Sequence, residues 1–432
     1  MRKPEEEKTN WSVSYGQLLW RQFSKSWLNV GCLIFVLFLL ILAILAPFLA
    51  NDKPFVIRIN GQLHFPLFEN LQPTDYCILL TAIVGLYQLL LIQWHGHLGR
   101  VFTGWKPVPP PCGSVLWRQL GISCTIILGG AALIYFLVPR RLDATDYKMM
   151  IASGKATPLF PSEEGKGAIF APVPYGYNRT NLAARQQPPS RQHWLGTDDV
   201  GSDVLCRLIH GSRVSLAVGF VAVGISSIIG IVIGAILGYF GGKVDFIGMR
   251  AVEIVMAIPV FFLIITIVAF FPRSLLNMAI IIGITSWTGN ARFIRAEFLK
   301  LRKQDFVQAA VSLGLPLHSV LFRHMLPNAI APVLVNATFG ISSAIFIEAA
   351  LSFLGFGVAP PTPSWGQMLS LGVSTTGRFL WWLTLFPGLA IFLTVLAYNL
   401  VGESLRDAID PRLSRARSRG LRGPHFTGGK AA

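Results

Sequence analysis

The amino-acid sequence predicts an all-α, polytopic membrane protein of about eight helices, on three observations. Of 432 residues, 53% are hydrophobic and only 13% are charged, about half the charge of an ordinary soluble domain. Mean hydropathy is +0.55. Eight windows without Lys, Arg, Asp or Glu reach the roughly 18 residues at which a helix begins to cross a bilayer core about 30 Å thick. The first two observations exclude a soluble enzyme, and the third sets the helix count.

Along the chain, a polar leader (1–25) precedes the first window, 26–51. Its apolar run is too long for a signal-peptide core, which predicts a retained, uncleaved anchor. An outer segment (52–75) follows, then windows 76–99 and 119–139, which together make an extra helix pair at 76–139. Residues 140–212 hold Pro158, Pro161, Pro172, Pro174, Pro188 and Pro189, a composition that predicts an irregular excursion resting on the membrane domain. Windows 214–242, 254–272, 274–291, 324–347 and 379–402 belong to a core domain at 213–403, interrupted by one long polar loop at 292–328. The weakest windows are 76–99, which ends in His95 and His97, and 274–291, which is short and holds Asn277, Trp287 and Asn290. The basic tail, 404–432, carries Arg412, Arg415, Arg417, Arg419 and Arg422 and is expected to be disordered or to lie against anionic headgroups.

A net charge of +16 would raise nucleic acid as a partner in a soluble chain. Here its distribution gives another cause. With both termini cytoplasmic, the inner loops hold 23 Lys and Arg against 4 in the short outer loops. That is the positive-inside asymmetry, so topology explains most of the charge and no nucleic acid is expected. Cys32, Cys77, Cys112, Cys124 and Cys206 form no CxxC or Cys/His cluster, which predicts neither a metal site nor a disulfide framework. GxxxxGK[ST], HExxH and GxSxG are all absent, so the chain reads as a non-enzyme that would need ATP to be spent elsewhere.

The loop is the most informative stretch. Phe306, Ala309, Ala310 and Leu313 are spaced i, i+3, i+4, i+7, which predicts an apolar stripe opposite Lys303, Gln304 and Asp305. Gly314 supplies a left-handed stop, and Pro316 prevents continuation. A second short helix is predicted over His318 to Met325, ended by Pro327. Two amphipathic helices about a glycine turn make a knob that fits a groove in another protein, or a pair that lies on headgroups. The pattern alone leaves both open.

Gln308-Ala309-Ala310, Gly314 and Leu326-Pro327, at their spacing, resemble the EAA loop of ABC importer permeases, with Gln at 308 where the motif's namesake is Glu. The stretches HWLGTDDVGSDVLCRLIHGSRVSL (193–216), EAALSFLGFGVAPPTPSWGQML (348–369) and VGESLRDAIDPRL (401–413) are similar to oligopeptide and dipeptide permeases of the OppC/DppC branch. ANDKPFVIRINGQLHFP (50–66) and PPSRQHWLGTD (188–198) resemble its YejE type. The resemblance implies a type I ABC importer transmembrane domain of six core helices plus the extra pair, multi-pass in the bacterial inner membrane. It implies peptide cargo, with nickel or a peptide antibiotic as the alternative. Its implied partners are a second homologous permease, two cytoplasmic ABC ATPase subunits or one fused ATPase, a periplasmic or lipid-anchored peptide-binding protein, and membrane lipid. ATP and Mg would be held by the ATPases, with no cofactor on this chain. In that family the loop docks into the ATPase, which marks Phe306, Gln308, Ala309, Ala310, Leu313, Gly314, Arg323, His324, Leu326 and Pro327 as the expected coupling residues.

Gly230, Gly234 and Gly238 line one helical face and predict close helix packing, within the chain or against the partner permease. Glu253 and Glu348 lie near predicted membrane boundaries, where capping or structural roles are expected. An ATP-independent channel or carrier would need intramembrane charges or repeats, which are not found. Ser226, Ser227, Thr285, Ser286, Asn290, Asn336, Thr338, Ser342 and Ser343 fit a tolerant translocation path, although Ser and Thr also bond their own helix backbone. Substrate contacts are therefore left unassigned.

Overall fold

Proline, glycine and serine decide where the long apolar runs begin, bend and end. The computed structural model describes residues 20, 22–59, 62–102, 113–138, 145–153, 156–157, 169–374 and 379–409. The leader through residue 19, Cys112, the tail from 410 and much of 139–168 lie outside the described residues.

Helix α1 (Trp27–Leu49) fills the first window. The segment after it then forms an element that an all-α reading did not anticipate. Strands β1 (Ile57–Ile59) and β2 (Gln62–His64) pair antiparallel, and β3 (Ala156–Thr157) adds to the other edge of β1. The sequence carried the signal in Asn60-Gly61, a hairpin dipeptide beside the β-branched Val56 and Ile57. A short α2 (Pro66–Glu69) leads into α3 (Pro73–Phe102), which packs against α4 (Gly113–Leu137). Gly130 lies against Leu80 at that contact, and Gln88 hydrogen-bonds Ser123. Beyond α4 come α5 (Tyr147–Ala152) and an irregular run from 169 to 203, as the proline content predicts.

The centre of the molecule is α6 (Val204–Phe240), 37 residues long and capped by Asp203, whose carboxylate accepts from the Cys206 N–H. Next come α7 (Gly242–Ala257) and α8 (Val260–Phe270), with a 76° bend between them. Window 254–272 is thus not one straight helix. Pro259 causes this, because the residue before a proline avoids the α region and Ile258 is extended at φ −82°, ψ 125°. Window 274–291 also divides, into α9 (Leu275–Thr285) and α10 (Trp287–Leu301) about Ser286. The 11 residues of α9 rise only about 16 Å, half of a hydrocarbon core.

The chain continues through α11 (Asp305–Ser312), a π-helical segment (Ser319–Met325), α12 (Leu326–Phe353), α13 (Trp365–Ser374) and α14 (Trp381–Ile409). Among the described residues, four continuous stretches are long and apolar enough to cross a membrane: Trp27–Leu49, Val204–Phe240, Ser319–Phe353 and Trp381–Ile409. The bent α7–α8 pair is a fifth if taken together. The main core joins Val36 and Leu39 of α1, Val218 and Ala222 of α6, Ile264 of α8, Ile282 of α9, Ile345 of α12 and Tyr398 of α14.

Candidate functional site

The loop projects from the foot of the bundle on a packed root. Its first arm, α10, is tied to α6 by Arg302, whose Nη1 donates to the carbonyls of Tyr239 (2.8 Å) and Phe240 (3.0 Å) at the C-terminal end of α6. A cation is favoured there because those carbonyls carry the negative end of the helix dipole. In α11, Val307 and Ala310 turn inward onto Ala235, Ile294, Phe298, Val320, Leu321 and Met325. This corrects the predicted stripe: Ala310 is 4% exposed and Leu313 80% exposed, although the spacing placed them on one face. The buried pair is Val307 and Ala310, and the cost of exposing Phe306 and Leu313 is accepted at the tip.

Gly314 adopts φ +71°, its N–H donates to the Val311 carbonyl and the Leu315 N–H to the Ala310 carbonyl, a Schellman ending. The second short helix does not stop at Pro327. Residues Ser319–Met325 take a π-helical path that runs straight into α12, with the Leu326 N–H reaching the Leu321 carbonyl. Pro327 is then in the first turn of α12, directly after the π-helical segment.

Of the expected coupling residues, Phe306, Gln308, Ala309, Leu313, Gly314, Arg323 and Pro327 are exposed, His324 is half-buried, and Ala310 and Leu326 are buried in the root. Val311, Leu315, Leu317 and Phe322 are also exposed, so the tip presents an apolar surface wider than the motif residues alone.

Above the root, α6 and α10 meet along Gly230, Gly234 and Gly238. A Cβ on Gly238 would lie 2.6 Å from the Phe298 Cβ, and one on Gly234 would lie 2.8 Å from the Ile294 Cβ, so only glycine admits this approach. One turn further along, the Asn290 Nδ2 donates to Ser226 Oγ (3.2 Å) and Ser227 Oγ (3.5 Å), while Asn336 Nδ2 donates to Asn290 Oδ1. Most hydroxyls suggested for a path bond their own helix: Thr285 to the Ile281 carbonyl, Thr338 to Val335, Ser343 to Phe339. Ser342 additionally donates to Asn399 Oδ1.

The two glutamates differ from one another. Glu253 is exposed and paired with Arg250 at 2.6 Å. Glu348 is fully buried, accepting from Ser215 (2.8 Å) and Ser352 (2.7 Å), so it lies in the interior rather than at a wet boundary. Sequence reasoning also missed the polar rim at the start of α6. Asp198 pairs with Arg207, His193 Nδ1 lies 2.8 Å from Asp203, and Arg213 lies 2.6 Å from Asp75. Trp382 Nε1 donates to the Thr197 carbonyl at 3.1 Å, fastening the rim to α14. Burial beside Asp198 pushes the Asp199 carboxyl up, and burial pushes the Lys148 ammonium down where it sits 4.5 Å over the Tyr175 ring. The signal available was TDDVGSDV, in which Asp203 stands three residues before Cys206, as an N-cap does.

Residues 230–415 match the family described as binding-protein-dependent transport system inner membrane component, and residues 14–73 match the N-terminal TM domain of oligopeptide transport permease C. The oligopeptide transport system permease protein OppC of Bacillus subtilis is 40% identical over 250 residues, covering 57% of this chain and 82% of that protein. The dipeptide transport system permease protein DppC of Alkalihalophilus pseudofirmus is 42% identical over 251 residues, covering 57% of this chain and 81% of that protein. Among solved structures, an inward-facing MetNI methionine ABC transporter gives a TM-score of 0.38 at 20% identity, over 48% of this chain and 98% of that one. That likeness is too slight to carry an argument. Apart from Pro73, the helix pair α3–α4 lies between the two matched stretches.

Proposed function

Because the chain belongs to the oligopeptide and dipeptide permease branch of the binding-protein-dependent, type I ABC importers, we propose that it forms half of the pathway by which peptides cross the bacterial inner membrane. A second, homologous permease completes that pathway. Two cytoplasmic ATPase subunits, or one fused ATPase, hold ATP and Mg, and a periplasmic or lipid-anchored protein delivers peptide. The observation that carries the coupling role is the exposed apolar tip of Phe306, Val311, Leu313 and Phe322 set on the close-packed root of Val307, Ala310, Val320 and Met325. A partner can grip such a tip, and the root resists deformation, so force applied there moves whole helices.

ATP-driven closure of the partner would displace the tip, and the contact would have different energies in the inward-open and outward-open states, which is what shifts their populations. The 23 to 4 asymmetry of basic residues supports a cytoplasmic position for the loop and both termini. The testing experiment is copurification of the ATPase with Leu313→Asp, alongside peptide uptake into whole cells. Loss of both with normal membrane insertion is the expected outcome. Full uptake with no ATPase bound would overturn the reading.

A further inference from the structure

We infer that Asn290 and Asn336 are positioning residues, a joint that makes the two arms of the loop move as one body with α6 and so carries tip displacement into the bundle. The inference rests on the coupling role proposed above.

Three helices contribute matched faces to this joint. On α10 the face is Asn290, Ile294 and Phe298; on α6 it is Ser226, Gly230, Gly234 and Gly238; on α12 it is Leu326, Ala329, Val333 and Asn336. Between the asparagines and the Arg302 tie at the end of α6 the layers are apolar. Apolar contact is non-directional, so those layers fix distance better than they fix register. The asparagine layer is directional. Ser226 Oγ donates to the Val223 carbonyl at 3.1 Å, which leaves its lone pair for the Asn290 amide, while Asn290 Oδ1 accepts from Asn336. Asn290 and Ser226 are both buried, so sliding α10 along α6 or α12 would strand the Asn290 amide in an apolar interior. α10 leads into the loop and α12 leads out of it, so the Asn290–Asn336 bond closes the base of the hairpin whose tip is Leu313.

The test uses the complete transporter in liposomes, with Asn290→Ala, Asn336→Ala and the double variant, and reads peptide moved per ATP hydrolysed. Subunit assembly should be unchanged and the ratio should fall about tenfold, an ordinary size for coupling between sites. The double variant should be no worse than Asn290→Ala, which already removes the Asn290–Asn336 bond together with those to Ser226 and Ser227. Undiminished ratios in assembled complexes, or losses that multiply in the double variant, overturn the joint. Should the alanine variants fail to accumulate, Asn290→Ser and Asn336→Ser are read by the same outcomes. A wild-type loop that binds no ATPase would instead overturn the coupling role itself, so the two failures are distinct.

Discussion

Arg213 Nη1 lies 2.6 Å from Asp75 Oδ1, an ion pair that joins the start of α3 to α6 across 138 residues of sequence. Asp75 also accepts from the Gln72 N–H at 2.8 Å, so one carboxylate caps α3 and anchors it. Burial and the neighbouring Asp75 push the Tyr177 hydroxyl up, which places that ring in the same enclosed cluster. Asp75→Asn should therefore leave Arg213 largely buried and unpaired, at a cost of about 3 kcal/mol. The thermal midpoint in detergent should drop, and Asp75→Asn with Arg213→Met should recover most of the loss.

The glycine seam offers a paired comparison on one helix. Gly234→Ala forces a Cβ against α10 and should abolish recovery of monodisperse protein, as read by size-exclusion chromatography. A Cβ on Gly224 would meet nothing within 4 Å, so Gly224→Ala should be neutral or should stabilise by up to about 1 kcal/mol through helix propensity.

Two aspartates in the loop should fail differently. Ala310→Asp places a carboxylate in the apolar root and should lower stability by several kcal/mol, on the order of the penalty for an unpaired buried charge. Leu313→Asp lies at the exposed tip and should leave stability within about 0.5 kcal/mol of the parent, the range of ordinary surface changes, as read by the thermal midpoint.

Natural and introduced thiols report the topology. Cys206 is buried with its Sγ 2.9 Å from the Tyr175 carbonyl and should resist an impermeant thiol reagent. Leu182→Cys, on an exposed turn that the proposed orientation puts outside, should label in intact cells, and Leu313→Cys should label only after permeabilisation. Labelling of Leu313→Cys from outside would reverse the proposed orientation.

Much of the fold was legible because charge-free windows report directly on helices that must satisfy their backbones internally. Windows containing Pro259 or the Thr285-Ser286 pair were harder to read, since hydropathy counts residues and not corners. At the loop, Gly314 declared its turn through backbone geometry, whereas the inward face did not follow from spacing. Val307 and Ala310 are also i, i+3, and tertiary packing against Phe298 and Met325 chose that pair. The rim of Asp198, Asp203 and Arg207 escaped because its members join an irregular segment to a helix end, where no periodicity operates.

The corner at Ile258–Pro259 has one more consequence. A helix turned through 76° cannot carry its backbone ladder around the bend, and Ala257, Ile258 and Pro259 are all exposed on this chain. The Ile258 N–H still finds the Val255 carbonyl and the Pro259 carbonyl accepts from Leu263, but any carbonyl left over at hydrocarbon depth would have nothing in oil to bond, so an elbow at that depth would look toward a neighbouring polypeptide or a hydrated passage. At that depth a single kink would distinguish the chain's oiled flank from its wetted one.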